Sequence, residues 1–156
     1  QVVVAQYIVV PHTAFCFVYV GSLLSMPYRH ARITTSLLIG FIVGLLADLF
    51  YDSLGMHAAA CVLLIYSRPL LLKYILPTST QETDFKPTWR NMGTKGFAIY
   101  AFLLILLHHA VLFGWDATSG TLLWVCAYKT ILSTLLTCIA VSVVQGISVV
   151  SRSHKR

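Results

Sequence analysis

Asp48, His57, His108, His109 and Lys129 are the side chains of this sequence best equipped for chemistry, and all five sit in or at the ends of long apolar runs. Carboxyl and imidazole groups can hold a metal, pass a proton or hydrogen-bond one another. At lipid depth an ionisable group costs about 2.5 to 3.5 kcal/mol, so each needs a partner or a water-filled cavity. For Asp48 that partner is either Lys129, in an ion pair, or the His57 end of the next run, through a hydrogen bond. Either contact holds two helices in register. A metal site from Asp48, His57 and one of the paired histidines is disfavoured. Adjacent histidines diverge by about 100° on a helix, so one of them points inward, and no His-x-x-x-His or Glu-x-x-His spacing is present. A proton relay lacks acids or histidines to continue it across the other half of the membrane. No metal and no cofactor is expected.

Arg68-Pro69 is a second constellation. Proline removes a backbone donor and bends a helix, while Arg68 can reach the head groups, cap freed carbonyls, or contact an anionic lipid or a partner. Cys16, Cys61, Cys126 and Cys138 lack paired spacing and read as small apolar fillers. Thr130, Ser133, Thr134 and Thr137 form a hydroxyl face that bonds its own backbone or a neighbouring helix. No phosphate-binding glycine loop, nucleophile elbow or hydrolase triad is readable, so no catalytic residue is assigned and the protein is read as a non-enzyme.

The elements that must position these groups follow from composition. Hydrophobic residues make up 58% of the 156 and charged ones 10%, with a mean hydropathy of +0.80. That excludes a soluble domain, where roughly a quarter of residues are charged. Strand alternation is missing, so the expectation is an all-α integral membrane protein, a single membrane domain over 1–156 with about six transmembrane helices. The spans are read at 1–10 (partial), 12–27, 33–51, 57–76, 97–115 and 121–150, with a polar connection at 77–96. Ten residues of helix reach only about 15 Å, and the chain starts with Gln, so an N-terminal half-helix is expected ahead of it. Gly55, in the tight segment between the third and fourth spans, suits a positive φ. Gly40 and Gly44 line a small-residue stripe with Ser36, Asp48 and Asp52, which permits close approach to a helix of this chain or of a partner.

Basic residues fall in alternate connections: Arg29 and Arg32, then Lys86, Arg90 and Lys95, then Arg152, Lys155 and Arg156. The positive-inside rule puts these on the cytoplasmic side, with the C-terminus. The net charge of +6 therefore reflects membrane orientation, and no nucleic-acid partner is implied.

Residues 44–72, GLLADLFYDSLGMHAAACVLLIYSRPLLL, resemble the MreD family, the rod-shape-determining membrane proteins of bacteria. Gly44, Asp48, Gly55-Met56-His57-Ala58-Ala59 and Arg68-Pro69 carry the resemblance, and LHHAVLF at 107–113 with KTILSTLLT at 129–137 is similar to the Bacteroidetes version. Lys129 stands where an arginine is common in that family. The resemblance implies a fold similar to the six-helix substrate-binding subunits of energy-coupling-factor transporters. It also implies a non-enzymatic scaffold in the bacterial inner membrane, part of the cell-elongation complex that makes lateral-wall peptidoglycan. The implied partners are an MreC-like single-span protein, the MreB filament and the elongation synthases, besides membrane lipids. The other reading is a small-molecule or lipid-carrier binding membrane subunit of a transporter.

Overall fold

The ends of the helices are set by local groups. A run of apolar and small residues forms the helix Ile33–Tyr51, which stops where Asp52 takes a left-handed φ of 51°. Gly55 follows at φ 84°, a conformation that costs glycine nothing, and the chain turns straight into the next helix. The computed structural model describes residues 17–27, 33–76, 85–118 and 123–153. Among these, five helices form: α1 (Tyr19–Leu24), α2 (Ile33–Tyr51), α3 (Met56–Ile75), α4 (Trp89–Thr118) and α5 (Leu123–Ser153). No strand occurs among the described residues.

α2 to α5 are each long and apolar enough to cross a membrane, which makes this a multi-pass membrane protein. The third and fourth expected spans match α2 and α3 to within a residue. The fifth starts earlier than expected: the connection read at 77–96 already becomes helical at Trp89, where the Asn91 and Met92 amides donate to the Thr88 carbonyl. Gly93 (φ 71°, ψ 164°) then interrupts the helix, so the polar start of α4 is a separate turn set at an angle to the span. Of the span read at 12–27, the described part holds only the six-residue α1, which at about 9 Å does not cross a bilayer by itself. The span at 1–10, Cys16, Arg29, Arg32, Glu82, Asp84, Lys155 and Arg156 lie outside the described residues.

The long helices pack in chain order as a row: α2 on α3, α3 on α4, α4 on α5. Neighbours run antiparallel. Gly44 meets Ala58 while Gly40 meets Cys61 and Ile65, and along the next seam His108 approaches Cys61 while Gly96 approaches Ile75. α1 lies against α3 and α4, and its Gly21 abuts Val141 of α5. The core sits where these meet, around Val20, Leu24, Leu64, Leu104, Ile105 and Tyr100. α2 and α5 bury little: Leu38, Leu49, Trp124 and Ile139 are among many large apolar side chains left for lipid to cover.

Candidate functional site

Asp48 comes from the last turn of α2, and its carboxylate accepts three hydrogen bonds. Ser53 Oγ donates at 2.7 Å, the His57 amide at 2.9 Å and the Ala58 amide at 3.0 Å. The two amides belong to the first turn of α3, where N–H groups have no partner within the helix and the dipole favours a negative group. Of the two expected partners, then, it is the His57 end of the next helix that Asp48 binds, through the backbone. Lys129, half-buried on α5, takes no part in it. Gly44 makes the approach possible, because a Cβ there would lie 2.4 Å from Ala58 Cα and 2.7 Å from the His57 carbonyl. Gly40 sits against Ile65 and Cys61 one turn away. The glycine stripe is thus occupied by a helix of the same chain.

The His57 ring meets Tyr19 of α1 and lies 5.0 Å from the Tyr51 ring of α2. Tyr19 Oη lies 2.8 Å from His57 Nδ1 and 3.1 Å from His108 Nε2, and Cys61 Sγ lies 3.9 Å from the same His108 nitrogen. The Phe17 ring fills the centre, with centroids 5.1 Å from His57 and 5.3 Å from His109. His109 Nδ1 is 3.2 Å from Thr134 Oγ1 on α5. Sequence spacing puts only one of His108 and His109 inward, yet both are fully buried. The reason is that α4 is covered on two sides, by α1 and α3 on the His108 side and by α5 on the His109 side.

The hydrogen positions follow from what each partner can donate. Thr134 uses its one hydroxyl hydrogen on the Thr130 carbonyl at 2.7 Å, so its oxygen accepts from His109 Nδ1–H. His109 Nε2 then carries a bare lone pair, and it has no partner. His108 Nδ1 is also unpartnered. A buried N–H without an acceptor is the costlier state, so His108 carries its hydrogen on Nε2 and donates to Tyr19, whose hydroxyl donates to His57. Two imidazole acceptors therefore remain open inside the protein. Among the described residues, no three His, Cys, Asp or Glu side chains are arranged to hold a metal ion.

Arg68 ties the other half of the bundle. It is 2% exposed, so it neither reaches the head groups nor snorkels. Its Nε donates to Tyr100 Oη at 2.8 Å and its Nη2 to the Leu24 and Met26 carbonyls, at the C-terminal end of α1. Tyr100 passes its own hydrogen to the Leu24 carbonyl at 3.1 Å. Carbonyl capping, one of the expected roles, is therefore realised on a different helix. α3 runs on through Pro69 as one helix.

The hydroxyl face of α5 behaves as expected. Thr130 bonds the Cys126 carbonyl, and Thr137 Oγ1 accepts from the Phe17 amide at 3.3 Å. Sequence reasoning missed Phe17, Tyr19 and Tyr100. Their signal was faint: a tyrosine in a membrane helix reads as an interfacial residue unless a polar partner at matching depth is sought. Comparison of the chain with protein-family models, with curated proteins and with solved structures finds no match.

Proposed function

We propose that this protein is a non-enzymatic membrane scaffold of the bacterial cell-elongation complex, resembling MreD, that binds an MreC-like single-span partner. The observation that carries the reading is the placement of Asp48: this acidic residue of the resemblance segment binds Ser53 and the first turn of α3 through three hydrogen bonds instead of facing a cleft. Arg68 and Tyr19 likewise join elements of the chain to one another. Such polar ties set a rigid shape, and a scaffold needs little else. Because Gly40 and Gly44 are covered by α3, the partner's helix falls to the lipid-facing sides of α2 or α5, where Ile42 and Ile139 are exposed.

The test is affinity purification of the full chain from bacterial membranes with identification of what comes with it, using photo-crosslinkers at positions 42 and 139. An MreC-like protein crosslinked at either position supports the reading, and its absence from the purified material counts against it. A second reading, a small-molecule or lipid-carrier binding subunit, draws on the two open imidazole nitrogens, which a ligand bearing donor groups would satisfy. Native mass spectrometry would show such a ligand as added mass that His109→Phe removes.

A further inference from the structure

At the end of the bundle remote from Asp48, the segment leading into α4 is pinned on one side and bare on the other. Phe85 and Pro87 are buried, and the Trp89 ring stands edge-on to Phe97 at 6.5 Å and against Gly146 of α5. Between and beyond these anchors Lys86, Arg90 and Lys95 are exposed. Asn91 Nδ2 donates to the Lys86 carbonyl at 2.9 Å and closes the turn. The Gly93 conformation, φ 71° and ψ 164°, is one that glycine alone adopts readily, so the angle between this turn and the span is built into the sequence. The segment is an anchored elbow with its cations on the free side.

Two further observations bear on what it meets. Ile75 at the end of α3 lies beside Gly96, which sets the exposed Lys73 and Tyr74 at the depth of Lys95. Arg68, buried among carbonyls and a phenol, adds positive charge behind this end. Along α4, Ile99 and Phe102 follow Lys95 at helical spacing of four and seven residues, and both are exposed. One stripe thus carries a cation at the membrane surface and apolar side chains below it.

We propose that this elbow binds an anionic phospholipid, its phosphate held by Arg90 and Lys95 with Lys86 at the rim, and an acyl chain lying along Ile99 and Phe102. Arginine offers a fork that matches phosphate oxygens, and lysine a point charge. The apolar stripe distinguishes a lipid from a free phosphate. The proposal needs only that the chain spans a membrane and stands apart from the scaffold reading.

The test uses tryptophan fluorescence. With Trp115→Phe and Trp124→Phe, Trp89 is the one tryptophan left of three. The full chain is reconstituted in phosphatidylcholine vesicles containing either brominated phosphatidylglycerol or brominated phosphatidylcholine, and quenching is compared at equal mole fraction. Each cation near an anionic surface contributes about fivefold, so a preference of roughly 25-fold for phosphatidylglycerol is expected from two contacts. It should weaken with salt, fall toward parity in Arg90→Gln/Lys95→Gln, and persist in Lys129→Gln at the opposite end. Equal quenching by both lipids, a preference indifferent to salt, or one that survives the double substitution would overturn the proposal. Displacement by soluble glycerol phosphate would overturn it too, in favour of a free-anion site.

Discussion

The Asp48 carboxylate and the His57 amide are nine residues apart in sequence and 2.9 Å apart in space, and between them the chain reverses from α2 into α3. One side chain therefore closes the hairpin and caps the helix that follows. In a membrane the cap matters more than in water, because no solvent stands ready to take the amides it leaves.

Replacing Asp48 with alanine strands two amides and the Ser53 hydroxyl. The expected loss is about 3 kcal/mol of stability, with Asp48→Asn nearer 1 kcal/mol because one acceptor oxygen remains. Unfolding of the purified protein by titration with a denaturing detergent reads this directly. Equal stability of all three proteins would remove the cap from the account.

Gly44→Ala and Gly40→Ala add the same methyl group with different results. At Gly44 the new carbon meets the Ala58 backbone at 2.4 Å, which cannot yield without parting the hairpin and loosening Asp48. At Gly40 the nearest atom is Ile65 Cγ1 at 2.9 Å, a side chain that can rotate. Gly44→Ala is expected to cost about 3 kcal/mol and Gly40→Ala about 1 kcal/mol or less, measured by the same titration.

Arg68 and Tyr100 should behave as a coupled pair. Arg68→Lys keeps the charge but cannot span Tyr100 Oη and two carbonyls, so it is expected to lose about 2 kcal/mol. Tyr100→Phe should lose about 1 kcal/mol, and the double variant less than the sum of the two. A double-mutant cycle with no interaction energy contradicts the shared network.

Tyr19→Phe changes shape least and hydrogen bonding most. It leaves His57 Nδ1 and His108 Nε2 without their common partner, for an expected cost of about 2 kcal/mol. Nitrogen NMR of labelled histidines checks the arrangement independently: His109 should carry its hydrogen on Nδ1, and Thr134→Val should weaken that preference while the Ile105 carbonyl remains as an acceptor. A His109 protonated on Nε2 contradicts the assigned direction of its bond to Thr134.

Where a polar group had a near neighbour in sequence, its role was readable. Gly55 at positive φ follows from the tight segment that holds it, and for Asp48 and the hydroxyls of α5 the sequence-near partner was one of two that the sequence offered. The boundaries of α2 and α3 were readable for a similar reason, because charged residues and glycine bracket uniform apolar runs. What could not be read was enclosure. The inward placement of both His108 and His109 depends on α4 having neighbours on two sides, and a helical wheel carries no information about that. Arg68 gives the same lesson in reverse: a cation seven residues short of a helix end reads as snorkelling until α1 brings its carbonyls within reach. The early start of α4 was hidden by Pro87 and the charges around it, since a tilted turn at the membrane surface has the composition of a loop.

The helices form a row, and a row has edges. Among the described elements α2 has α3 as its principal neighbour, and many of its large apolar side chains are open to lipid. The molecule should come apart by peeling from a margin, with one outer helix leaving first and the remnant enduring around the tyrosine and its imidazoles.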